Sequence, residues 1–202
     1  NEIKRHSFRF QIQQRALNNR LRLTLDASGT LTDLSRPQGG DFIRAYNMIP
    51  LYPVYNADGT YFEGANGALY NEYDMGNPVH AMAENYDRTK QNIFTGRGEA
   101  QFDIIDGLNI KVDLFKSRSS YDQSVWNQAT NYAGAGSNSN ATRNNWSNDR
   151  ELMEWTLNFD KTFGDHKVGA LAGYSWENNE YASHYTYVEN FAVTSMGVNK
   201  KQ

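Results

Sequence analysis

Cysteine is absent from the 202 residues, which removes disulfide frameworks, thiolate zinc sites and cysteine nucleophiles together. No run of about 18 apolar residues occurs, so no membrane-spanning helix is expected. The first ten residues, Asn1 to Phe10, lack an apolar signal-peptide core, and the sequence is expected to begin after any targeting segment. Charge of one sign is also lacking. Twenty Lys and Arg stand against 23 Asp and Glu, a net charge of -3, so neither a nucleic-acid footprint nor an acidic tail is present. Walker, Rossmann and serine-nucleophile signatures are missing, and no cofactor is expected. The four histidines, His6, His80, His166 and His184, have no ligand spacing and point to no metal.

What is present is an unusual mixture. Mean hydropathy is low, -0.77, yet the chain carries 13 Tyr, 10 Phe, 4 Trp and 16 Gly. A soluble domain this polar would bury a thin core. A membrane barrel shows the same mixture, because half of each strand faces a polar lumen and its outer loops are long and hydrophilic.

The ordering of residues sharpens this. From Phe94 to Ile104 the even positions are apolar or small and the odd positions, among them Arg97, Glu99 and Asp103, are polar. After Asp106-Gly107 the alternation resumes, with Leu108, Ile110, Val112 and Leu114 opposite Asn109, Lys111 and Asp113. A period of two on both sides of Asp-Gly predicts a β-hairpin with one apolar and one wet face. Phe8, Phe10 and Ile12 repeat the pattern. So do Leu21, Leu23 and Leu25, then Met153, Trp155, Leu157 and Phe159, and finally Val168 to Trp176.

Six strands follow, near 4–15, 20–32, 91–104, 107–121, 150–163 and 167–182. Their connections alternate between short turns, at 16–19, 105–106 and 164–166, and long loops at 33–90 and 122–149. Outer-membrane barrels show the same alternation, and strands of this length exceed those typical of soluble sheets. The fold class expected is all-β, an antiparallel transmembrane β-barrel segment. Six strands do not close a barrel, for which a bacterial single chain needs at least eight, so residues 1–202 are expected to be part of a larger barrel domain.

Several stretches resemble a known family. "PLYPVYNADGTYF", "NPVHAMAE", the hairpin "GEAQFDIIDGLNIKVDL" and the hairpin "FDKTFGDHKVGALAGYSWE" occur in the order in which similar segments occur in the SusC/RagA family. These are TonB-dependent outer-membrane transporters of Bacteroidetes. "RFQIQQRALNNRLRLTLDAS" fits less well, since Gln11 and Gln13 stand where Asn is common. The resemblance covers residues 5 to 192. It implies about six strands of a 22-strand barrel, without the plug, the TonB box or the carboxy-terminal strand. It further implies import of an oligosaccharide, or in some members a peptide, with a SusD-like surface lipoprotein as lid and the TonB complex as energy source.

The residues sort into three expected groups. Leu23, Leu25, Phe102, Ile110, Val112, Leu114, Trp155, Leu157 and Phe159 are expected to face lipid, where arginine at Leu23 or Val112 should be costly. Arg97, Glu99, Asp103, Lys111 and Asp113 are expected to line the lumen, where Arg97→Leu should cost less. Tyr46, Tyr52, Tyr55, Asp58, Tyr61, Phe62, Tyr70, Tyr73, Trp126 and Trp146 are candidates for contact with substrate or lid. Packing within the loop is the competing reading for the loop aromatics. "NADGTY" around Asp58 reads as a turn, because no terminal Glu follows at the offset of a calcium loop.

Two other classes remain open on the sequence. A soluble β-sandwich that binds carbohydrate or mediates adhesion would fold in water without detergent. A barrel enzyme would need an acid pair such as Glu99 and Asp103.

Overall fold

The computed structural model describes residues 2–37, 41–48, 50–62, 77–128 and 139–191. Six strands form one antiparallel sheet in chain order: β1 (Glu2–Ala16), β2 (Leu21–Arg36), β3 (Tyr86–Ile105), β4 (Leu108–Asn127), β5 (Asn140–Phe163) and β6 (His166–Glu189). Two short helices, α1 (Asp41–Asn47) and α2 (Pro78–Glu84), lie between β2 and β3. Among the described residues no helix is long and apolar enough to cross a membrane.

The three tight turns owe their geometry to left-handed backbone. Leu17, Asn18 and Asn19 have φ of 52°, 54° and 68°, and the Arg20 amide closes the turn on the Leu17 carbonyl at 3.1 Å. Gly107 has φ of 80°, a region that favours glycine. A Cβ there would also stand 2.6 Å from the Asp160 carbonyl oxygen of β5. Gly107→Ala should therefore cost about 1 kcal/mol or more, measured as a lower urea midpoint of the folded barrel in lipid vesicles.

The register sets the two faces. Leu21 lies opposite Phe102, Phe102 opposite Ile110, and Ile110 opposite Leu157. Leu25, Gly98, Leu114 and Met153 form a parallel row, and Val112 stands between Ala100 and Trp155. All nine apolar residues singled out above fall on this one face. The five charged residues fall on the other. On β2 the apolar face includes Gly29, whose missing side chain leaves room for the rings of Phe8 and Phe94 to close over it from both neighbours.

Among the described residues nothing covers the apolar face. Leu25 and Leu114 are 51% and 52% exposed, and the only buried hydrophobic residues among those described are Ala81, Trp126 and Ala141. A β-sandwich buries such a face against a second sheet. Here the described strands form a single sheet, which removes the sandwich reading.

The strands run further than their periodicity predicts. β4 continues to Asn127 and β5 begins at Asn140, so the connection expected at 122–149 shrinks to 128–139, and the one expected at 33–90 shrinks to 37–85. Beyond Leu114 and Met153 the formerly apolar face carries Lys116 paired with Glu151 at 2.7 Å and Arg118 near Asp149 at 3.7 Å. Both faces are wet there, so alternation vanishes from the sequence while the backbone ladder continues.

Candidate functional site

The polar face divides into two zones. In the zone nearer the short turns, strand pairing sets opposite charges side by side. Arg22 meets Asp103 at 2.8 Å, Arg9 meets Asp26 at 2.7 Å and Lys111 meets Glu99 at 2.8 Å. Arg97 grips Asp113 through Nε at 2.9 Å and Nη2 at 2.6 Å, and its Nη2 also lies 3.5 Å from Glu99. Asp113 is the most enclosed member, with its side chain 9% exposed against 54% for Arg97. Glu99, Asp113 and Glu154 are consecutive register partners across β3, β4 and β5, and Ser175 donates to Glu154 at 3.3 Å. Arg150 and Glu177, paired at 2.7 Å, close the charged zone on β5 and β6.

This arrangement bears on acid–base chemistry. Glu99 and Asp103 sit four residues apart on one strand, about 13 Å along it, and each is engaged by a cation. Neither stands as a free proton donor beside an open carboxylate, the arrangement a glycosidase pair requires.

Above Arg150 and Glu177 the polar face changes character. Tyr121 of β4 is opposite Trp146 of β5, which is opposite Ser183 of β6. The row below is Ser119, Asn148 and Tyr181, and the row above is Gln123, Asn144 and Tyr185. None of the nine is charged. The Tyr121 and Trp146 rings stack at 5.4 Å and 13°, and Tyr181 leans on Trp146 at 6.3 Å. Tyr181 and Tyr185 are 64% and 65% exposed.

Trp126 is placed differently from the sequence expectation. It belongs to β4 rather than to a loop, lies on the opposite face and is 3% exposed. Its ring meets Phe191 edge-on at 5.0 Å and its indole N–H donates to Gln128 at 3.1 Å. A ring so enclosed has no face to offer a ligand. Trp146 also proves to be a strand residue, on the polar face.

The loop aromatics are packed around Asn77 and His80, two residues of the segment "NPVHAMAE" to which the sequence assigned no packing role. Asn77 caps α2 by accepting from the Val79 and His80 amides at 3.0 and 3.4 Å, while its side-chain nitrogen donates to the Val54 and Phe62 carbonyls at 2.8 and 3.1 Å. His80 is buried, stacks on Tyr61 at 4.3 Å and lies 3.0 Å from Glu84. Tyr55 in turn meets Tyr61 at 5.3 Å, and Tyr52 meets Phe62 at 5.9 Å. Four of the candidate contact residues, Tyr52, Tyr55, Tyr61 and Phe62, thus have ring neighbours within the loop. Tyr46 on α1 is exposed. Tyr70 and Tyr73 lie outside the described residues.

Asp58 sits in a turn. The Thr60 hydroxyl and amide donate to its carboxylate at 2.6 and 3.0 Å, which holds its pKa below the ordinary aspartate value. These bonds favour the charged form, so they support the turn above the ordinary value and are lost as the pH falls through the depressed one. Asn77→Ala should remove about 1 kcal/mol of local stability, seen as faster amide exchange at residues 50–62 with the exchange of β3 and β4 unchanged.

No protein-family model matches the chain. A curated relative, TonB-dependent receptor P3 of Formosa agariphila, is 29% identical over 176 residues, 87% of this chain. The RagAB peptide transporter superposes with a TM-score of 0.70 at 16% identity over 98% of the chain. The chain is thus similar in sequence to a TonB-dependent receptor and in fold to the RagAB transporter. The same importer in its closed-closed state gives a TM-score of 0.69 at 16% identity, and the more distant FpvA of P. aeruginosa gives 0.51 at 12% over 91% of the chain. At these identities the solved structures establish the barrel-wall fold. The chain spans 17% of the length of the curated relative and 23% of the RagAB transporter chain. TonB-dependent receptors are outer-membrane proteins, and the one-sided sheet described above is the wall such a barrel requires.

Proposed function

We propose that the protein to which this wall belongs imports a large nutrient, an oligosaccharide, across the bacterial outer membrane. The TonB complex supplies the energy through a plug, and a SusD-like lipoprotein acts as the lid. The apolar face meets lipid, the polar face lines the lumen, and the connections at 37–85 and 128–139 open to the outside. The observation that carries this reading is the single sheet, apolar on one uncovered face and polar on the other, in a chain similar to a TonB-dependent receptor over 87% of its length. We read the protein as a transporter rather than an enzyme. The Glu99 and Asp103 carboxylates are occupied in ion pairs that stiffen the wall.

Peptide import is the second reading, favoured by the likeness of the fold to a transporter described as a peptide importer. Uptake of fluorescent oligosaccharides and of fluorescent peptides by cells with and without a working TonB complex separates the two. Energy-dependent uptake of sugars supports the first reading, of peptides the second. Uptake indifferent to TonB for both would refute the transporter assignment.

A further inference from the structure

Gly29, Gly96 and Gly98 stand on the apolar face of β2 and β3, and only the first has a purpose within the sheet. Its hollow is filled by the rings of Phe8 and Phe94. A Cβ on Gly96 or Gly98 would meet nothing within 4 Å, and neither residue has the positive φ that calls for glycine. Glycine inside a strand weakens it and often marks a place where another molecule approaches the backbone. The space left here is a groove with an open volume of about 420 Å³ and an almost wholly apolar lining. Leu23 and Leu25 of β2 form one wall, Val112 and Leu114 of β4 the other, and Gly98 and Ala100 the floor. With Gly96 the floor runs about 14 Å along β3.

The two ends of the groove differ. At the end nearer the short turns Phe102 follows Ala100 on the same face, and Arg20 lies over its ring with its donors committed to the Asp103 and Ile104 carbonyls. At the end nearer the long connections the apolar rows stop and cations begin. Lys116 is the register partner of Gly96 and Arg118 that of Phe94, both with largely exposed side chains. Their acidic neighbours, Glu151 and Asp149, stand on β5, on the side away from the groove. Lys116 spends one donor on Glu151 at 2.7 Å. Arg118 comes no nearer to Asp149 than 3.7 Å, so its guanidinium makes no hydrogen bond among the described residues.

We infer that the groove holds an acyl chain of a phosphorylated glycolipid of the outer leaflet, whose phosphate rests on Lys116 and Arg118. A chain of methylenes fits a narrow apolar channel that no neighbouring side chain fills, and a phosphate accepts charge-assisted hydrogen bonds from both cations. Lipid in general accounts for apolar walls; it does not account for a floor without side chains that ends at an uncommitted guanidinium. The direction of the groove selects the leaflet, because its cationic end lies towards the connections that open to the outside.

This inference rests on the proposal that the apolar face meets lipid, and the test separates the two. The intact transporter, purified in a mild detergent, is titrated with phosphorylated lipid A, with the same lipid stripped of phosphate and with inorganic phosphate, and bound lipid is read by native mass spectrometry. The phosphorylated lipid should bind saturably, about tenfold or more tighter than the stripped one, and inorganic phosphate should not displace it. Gly98→Leu, which fills the groove, should weaken binding about tenfold or more, and the smaller Gly98→Ala about threefold. Lys116→Gln combined with Arg118→Gln should abolish the preference for the phosphorylated lipid; these exposed positions keep the test decisive if Gly98→Leu does not fold. No binding, equal binding of the two lipids, or binding indifferent to both the glycine and the cation variants would overturn the site. So would a change in oligomeric mass in Gly98→Leu with lipid binding unchanged, which would make the groove a contact between copies of the chain. If the site fails while Val112→Arg still destabilises the barrel in lipid vesicles, the facing assignment stands. If Val112→Arg is tolerated as well, the facing assignment fails with it.

Discussion

Val112→Arg should destabilise the membrane-embedded barrel by about 2–4 kcal/mol, the cost of an arginine on the lipid side near the bilayer midplane. Val112 stands between Ala100 and Trp155, with Leu114 above it and Ile110 below on the same face, so the guanidinium would have no polar neighbour within its row. Leu23→Arg should behave alike on β2, although Gln14, its neighbour on β1, offers some relief. The measurement is urea unfolding in lipid vesicles, scored by heat-modifiable mobility. Lys116→Ala provides the contrast. Its side chain already lies beyond the apolar rows, in an exposed pair with Glu151, and its loss should change stability by less than about 1 kcal/mol. Equal tolerance of Val112→Arg and Lys116→Ala would reverse the facing assignment.

The second large effect comes from the polar face. The sequence leads to the expectation that Arg97→Leu costs less than an arginine on the lipid side. The structure gives that smaller cost a source, because the partner rather than the arginine is enclosed. Removing Arg97 strands the Asp113 carboxylate at 9% exposure, opposite Glu154 on one side and Glu99 on the other. Leaving an enclosed charged acceptor unpaired costs about 1–3 kcal/mol, and Arg97's own half exposure places the effect within that range rather than at a fully buried pair's penalty. Arg97→Leu combined with Asp113→Leu should recover much of the loss. A coupling energy near zero in that double-mutant cycle, from the same unfolding assay, would show that the pair contributes nothing to the wall.

Sequence reasoning performed unevenly along the chain, for identifiable causes. It read the hairpins around Asn18-Asn19, Asp106-Gly107 and Gly164 because turn chemistry and a period of two agree there. It ended the strands early wherever neither face meets an apolar medium: residues 122–127 and 140–149 pair as regularly as the rest but carry no alternation. That error moved Trp126 and Trp146 into a loop. The same blindness concealed Asn77 and His80, whose roles depend on carbonyls and rings up to 23 residues away.

What the sequence determined by itself is the wall: the hairpins and which residues share a face, because a period of two and turn residues act over a few neighbours and survive as a linear pattern. What only the tertiary structure decided is pairing across strands. The grip of Arg97 on Asp113, the stack of Tyr121 on Trp146 and the burial of Trp126 each join positions 16 to 65 residues apart. Contact across a sheet is fixed by register, and register is a property of two strands at once.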